Sequence, residues 1–74
     1  MEIIEINTDY IKLDQLLKFV GIADNGGFAK IIIQNGDVKV NNEVTLLRGK
    51  KIKNGDIVEV VGAGVFKVID ALGV

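Results

Sequence analysis

Cysteine, histidine and tryptophan are all absent from this 74-residue sequence, and tyrosine with phenylalanine makes up only 5% of it. Without cysteine there is no disulfide framework, no thiolate metal site and no catalytic thiol. Without histidine the usual general base of hydrolases is missing, and a zinc site would have to be built from carboxylates alone. Enzyme and metal-protein functions therefore start from weak ground, and neither a cofactor, a bound metal nor a small-molecule substrate is expected. Long apolar runs are missing too: none approaches the roughly 18 residues needed to cross a bilayer. The opening residues carry Glu2 and Glu5 where a secretory signal would carry positive charge. A cytoplasmic protein with no membrane partner is expected.

What is present is 49% hydrophobic residues, enough for one globular domain over residues 1–74. A domain of this size buries only about 60% of its unfolded surface, so the core will be small. The net charge is −1 but unevenly spread. Residues 1–29 carry two basic against five acidic side chains, net −3. Residues 30–53 carry six against two, net +4, and residues 54–74 one against three, net −2. The positive charge is concentrated in the middle, in Lys30, Lys39, Arg48, Lys50, Lys51 and Lys53.

Glu2–Ile6 is rich in β-branched residues and predicts a first strand at a sheet edge. Leu13, Leu16, Leu17 and Val20 fall at i, i+3, i+4 and i+7, the stripe of a first helix that stops at Gly21, with Asp14 in the first turn and Lys18 turned to water. A second helix is predicted from Gly26 to about Asn35, capped by the Asn25 side chain and ended by a left-handed Gly36. Phe28, Ala29, Ile32 and Ile33 are expected to face the first helix and the sheet. Lys30 and Gln34 fall on the exposed side, and Ile31 lies off the apolar stripe, under a later loop or on a partner surface. Val38–Val40 alternates as a strand, Asn41-Asn42 is the hairpin turn, and Glu43–Leu46 is the returning strand. Leu47–Lys50 is a basic loop. Lys51-Ile52-Lys53 alternates, with both ammonium groups on one face. Asn54-Gly55 is the strongest turn signal, followed by strands at 57–61 and 65–69 whose near-continuous apolar character does not reveal which face is buried.

The order of these elements and the residues at their joints resemble the S4 RNA-binding domain, or alpha-L motif, over Lys12 to Val60. Lys12-Leu13-Asp14 stands where that family opens its first helix with Arg-Leu-Asp, followed by the Leu16, Leu17 and Gly21 framework. Ala29, Ile32-Ile33 and Gly36 match the spacing of its second helix. Val38-Lys39-Val40-Asn41-Asn42 matches its Val-x-Val-Asn-Gly hairpin, and Gly55-Asp56 its later Gly-Asp. Two positions depart from the pattern. Gly26 replaces an arginine that relatives aim at phosphate, and Asn42 replaces the turn glycine. Gly26-Gly27 and the run Arg48-Gly49-Lys50-Lys51 look like the small stand-alone bacterial members.

The resemblance implies an α+β fold, two short packed helices followed by a small antiparallel β-sheet, to which the residues of Glu2–Ile6 add the expected N-terminal edge strand. It also implies RNA binding, with structured RNA, ribosomal RNA or ribosomal particles as partners. The candidate contact residues are Lys12, Lys18, Gly26, Gly27, Lys30, Arg48, Lys50 and Lys51. Physically, Gly26-Gly27 at a helix start would let a phosphate approach bare N–H groups; the alternative is that two glycines only ease a tight turn between helices. Singly each lysine is as readily plain solvated surface, and Lys39 and Lys53 are the most ordinary of them; together they can neutralise several phosphates. Asp14 and Asp56 are expected to be structural, not catalytic. Tyr10, Phe19, Phe28 and Phe66 are expected in the core, which would leave RNA to be read by backbone and shape instead of by stacking. The competing function is a protein-interaction module using Ile31 and residues 65–74.

Overall fold

Two strands, not one, precede the helices. The chain runs β1 (Glu2–Ile6), β2 (Tyr10–Lys12), α1 (Leu13–Phe19), α2 (Gly26–Gln34), β3 (Val38–Val40), β4 (Glu43–Val44), β5 (Lys51–Lys53), β6 (Ile57–Val60) and β7 (Gly64–Asp70). This computed structural model describes residues 1–71. A five-stranded sheet has the order β1-β7-β6-β3-β4, and β2 pairs with β5 in a separate two-stranded ribbon.

The sheet is mixed, which corrects the expectation of an antiparallel one. β1 lies outermost beside β7 and parallel to it, with Ile4 opposite Val68, while the other pairings are antiparallel. Parallel neighbours need a long crossover; here nearly the whole chain supplies it, so local sequence carries no trace of the pairing. β2 is similarly non-local. Three residues at the mouth of a helix become a strand because Ile11 pairs with Ile52, forty-one positions on. The strand after the Asn41-Asn42 turn stops at Val44 instead of Leu46, because the Leu47 N–H turns back to Thr45 Oγ1 at 3.3 Å.

One hydrophobic cluster joins the helices, the ribbon and one face of the sheet. Leu13, Leu16 and Leu17 from α1, Ala29 and Ile33 from α2, and Ile52 from β5 are buried against Ile4, Val38, Val58 and Val68. Each large aliphatic removed from water there contributes roughly 1.5–3 kcal/mol. In β6 and β7 alternation now sorts the apolar residues. Val58, Val60, Phe66 and Val68 point into the core, and Ile57, Val65 and Ile69 lie half-buried on the opposite face.

Helix ends follow local chemistry. Asn25 Oδ1 accepts the Phe28 N–H at 2.9 Å, and α2 terminates ahead of Gly36, whose φ of 83° a side chain would resist. Asn41 and Asn42 both adopt positive φ, 51° and 71°, as a tight hairpin requires.

The aromatic residues depart from expectation. Only Phe66 joins the core; Tyr10 is 39% exposed, Phe28 48% and Phe19 63%. At 100° per residue Phe28 falls on the flank of α2 away from Ala29 and Ile33, near Ile31, while Tyr10 takes the outward position of a three-residue strand. Their exposure removes the premise that stacking platforms are absent.

Candidate nucleic-acid interface

The loop between β4 and β5 is fixed by the start of α1. Lys12, at the N-cap, offers no side-chain cap. The first amides of a helix lack intrahelical acceptors, and here the Leu13 N–H donates to the Lys50 carbonyl at 2.9 Å and the Asp14 N–H to the Arg48 carbonyl at 3.0 Å. A turn in which the Lys50 N–H donates to the Leu47 carbonyl at 3.1 Å closes the loop on itself. The backbone of the basic loop is thus committed inward, and the Arg48 and Lys50 side chains are left exposed.

Across from this loop stand Lys30 and Gln34, one turn apart on α2. Between them and Arg48, Gly49 and Lys50 is a groove of about 550 Å³, to which Leu46 and Leu47 add apolar lining. Gly26 and Gly27 lie one turn before Lys30 on the same helix. Gly27 also serves the cap, since a Cβ there would stand 3.3 Å from Asn25 Oδ1; at Gly26 a Cβ would meet nothing within 4 Å.

A second basic surface adjoins the groove through the Lys50–Lys51 peptide. In the β2–β5 ribbon Tyr10 lies opposite Lys53 and Lys12 opposite Lys51. Ile52 and Ile11 turn towards the core, so all four of those residues share the exposed face. Lys51 Nζ sits 5.0 Å from the centre of the Tyr10 ring, within the range of cation–π attraction.

Of the residues expected from sequence, Lys30, Arg48 and Lys50 therefore meet at the groove, and Lys12 and Lys51 meet on the ribbon. Gly26 and Gly27 begin the helix that forms one wall. Lys18, exposed in the last turn of α1, lines neither surface. Lys39 lies on the outer face of the sheet, opposite Glu59. Gln34, Leu46 and Leu47 were not foreseen as lining, although the i, i+4 spacing of Lys30 and Gln34 announces a shared face. Tyr10, expected in the core, and Lys53, expected to be an ordinary strand-surface charge, join this face because β2, which was not expected, pairs with β5.

The two carboxylates singled out from sequence have structural partners. Asp14 accepts the Gln15 N–H at 2.8 Å. Asp56 accepts the Lys53 N–H at 2.8 Å and an Asn41 Nδ2 hydrogen at 3.1 Å, while Asn41 Oδ1 accepts the Ile57 N–H at 2.9 Å. This clamp joins the Asn41-Asn42 turn to the β5–β6 turn and so fixes where the ribbon leaves the sheet. No polar or charged residue is buried among the described residues, and none of them form a group of three or more carboxylates able to hold a metal. No helix among them is long and apolar enough to cross a membrane. The arrangement is one of exposed cations and aliphatic lining on a loop hydrogen-bonded to α1, chemically suited to an anionic polymer.

A family model described as the S4 domain matches residues 4–69. The chain belongs to the S4 domain family. A relative of this S4 domain, the probable ribosome maturation protein RlbA of Bacillus subtilis (strain 168), is 40% identical over 67 residues, covering 90% of this chain and 94% of that protein. Among solved structures, the solution structure of YbcJ from E. coli, described as revealing an alpha-L motif involved in RNA binding, superposes with a TM-score of 0.71 at 31% identity. The match covers 93% of this chain and 87% of YbcJ. In this S4 domain the second helix begins Gly26-Gly27, and the nearest cation on that helix is Lys30, one turn further on.

Proposed function

We propose that this S4 domain is a non-catalytic RNA-binding module acting in the cytoplasm, and that it docks structured RNA, ribosomal RNA in particular, in the groove between α2 and the basic loop. The observation that carries this reading is the convergence around one groove of Lys30, from α2, with Arg48 and Lys50, from a loop whose own carbonyls are tied to α1. Cations on a backbone already ordered lose less entropy when they close on phosphates than cations on a floppy loop. The Gly26 and Gly27 amides, at the positive end of α2, add backbone donors where the family arginine is missing. The description of RlbA as a probable ribosome maturation protein, and of the YbcJ motif as involved in RNA binding, supports a ribosomal target.

A protein-interaction function is favoured by one observation, the exposure of Phe28 and Ile31 on adjacent positions of the α2 surface. The other surface considered for it, residues 65–74, extends beyond the described residues at 72–74, and Val65 and Ile69 are half-buried.

Titration with purified ribosomal RNA, and co-sedimentation with ribosomal particles from cell extract, test the proposal. Wild-type protein is expected to bind with an affinity that falls steeply with salt, and Lys30→Glu with Lys50→Glu and Lys51→Glu is expected to abolish binding while circular dichroism stays unchanged. Equal binding by the folded triple variant would show the assigned face to be wrong. Failure of the wild type to bind RNA at low salt, with capture of one protein instead, would favour the interaction module.

A further inference from the structure

The exposed face of the β2–β5 ribbon has features that phosphate binding alone does not require. It holds one aromatic ring, Tyr10, among three ammonium groups, Lys12, Lys51 and Lys53, in a two-by-two block set by strand register. The block is held from behind by Ile52 and Ile11 in the core cluster and from the side by Thr8 Oγ1, which donates to the Tyr10 carbonyl at 2.8 Å. The ring also borders a recess of about 570 Å³ lined by Asn7, Thr8 and Asp9. This recess is open to solvent, and its amide, hydroxyl and carboxylate groups offer donors and acceptors of the kind found on the edge of a nucleobase. No carboxylate is paired with the three ammonium groups among the described residues.

We infer that the ribbon face is a nucleotide-stacking site, in which one unpaired base of the bound RNA lies on Tyr10 while Lys12, Lys51 and Lys53 take the flanking phosphates. The inference rests on the RNA-binding function proposed above and adds to it a preference for RNA with a base out of the helical stack. Sequence-tolerant stacking on an aromatic ring within a basic surface is the physical basis of single-strand recognition. Lys51 Nζ, now over the ring, makes an exposed cation–π contact weak enough to exchange for a phosphate oxygen. The ribbon joins the groove through Lys50–Lys51, so a folded RNA seated in the groove can present an adjoining bulged or loop nucleotide to Tyr10.

The sequence provides its own reporter, because Tyr10 is the only tyrosine and there is no tryptophan. Two synthetic RNA hairpins serve as probes, one fully paired and one with the same stem carrying a single bulged adenosine. Titration of the intact chain is expected to quench tyrosine fluorescence with the bulged hairpin and much less with the paired one. By fluorescence anisotropy of labelled RNA, Tyr10→Ala is expected to weaken binding to the bulged hairpin by roughly 5- to 150-fold, the range that one base–aromatic stack supplies. The same variant leaves the paired hairpin unchanged, and Tyr10→Phe, which keeps a stacking ring, retains most of the affinity. Circular dichroism establishes that Tyr10→Ala is folded; should it not be, the quenching contrast and Tyr10→Phe carry the test. Equal binding of both hairpins without selective quenching would overturn the stacking site and leave the groove intact, whereas absence of binding to either hairpin would overturn both.

Discussion

Neutralising the groove should change how RNA binding responds to salt by an amount that can be counted. Lys30, Arg48 and Lys50 are the three cations around it, and each side chain is exposed. If each neutralises one phosphate of a paired stem, each contributes about 0.9 to the slope of log K against log salt. The variant Lys30→Ala with Arg48→Ala and Lys50→Ala should therefore flatten that slope by about 2.7. Because the contribution of each contact grows as salt falls, the same three contacts are worth roughly 500-fold in affinity at 0.1 M salt relative to 1 M. The fold should survive, since the loop is held to α1 through the Arg48 and Lys50 carbonyls, which alanine retains. Fluorescence anisotropy of a labelled ribosomal RNA fragment between about 0.1 M and 1 M salt gives both quantities. Lys39→Ala, on the outer face of the sheet, serves as the control and should leave the slope unaltered. A slope shifted equally by the control, or not shifted by the triple variant, would refute the assignment of phosphates to the groove.

Two further outcomes concern the scaffold. Asn25→Ala removes the acceptor of the Phe28 N–H and should cost about 1 kcal/mol by urea denaturation, with local loss of protection at the start of α2. Asp56→Ala releases the Lys53 N–H and Asn41 Nδ2, each bond contributing about 1 kcal/mol. Against a total stability of roughly 4–11 kcal/mol for a chain of this length, the loss of about 2 kcal/mol should be plain in the denaturation midpoint; a midpoint equal to wild type would show the clamp to be dispensable.

The features legible in the sequence are those decided within a few residues. Asn25 as a cap, Gly36 and Asn41-Asn42 as positive-φ positions, and the Leu13–Leu17 stripe all follow from local sterics and periodicity, and the structure has each of them. The outward placing of Lys51 and Lys53 about a buried Ile52 was likewise readable from period-two alternation. What escaped was decided at long range. The parallel β1–β7 pairing and the β2–β5 ribbon join residues more than forty positions apart, and a three-residue strand has no periodicity of its own. The aromatic residues escaped for a related reason: hydrophobicity predicts burial only once the facing surface is known, and Tyr10 has its ring on the side of the ribbon that faces Lys51. The groove was half legible. The charge of Lys30, Arg48 and Lys50 could be counted, but the hydrogen bonds that tie the loop to α1, and so place it across from α2, are made by backbone atoms, on which side-chain identity has little to say.

The central claim, that RNA lies between α2 and the basic loop, is tested most directly by mapping backbone amide chemical shifts during titration with ribosomal RNA fragments. The account predicts that the perturbed amides form a continuous surface through Gly26, Gly27, Lys30, Gln34 and Leu46–Lys50. Largest perturbations on the outer face of the sheet, at Ile3, Ile57, Val65 and Ile69, would contradict it.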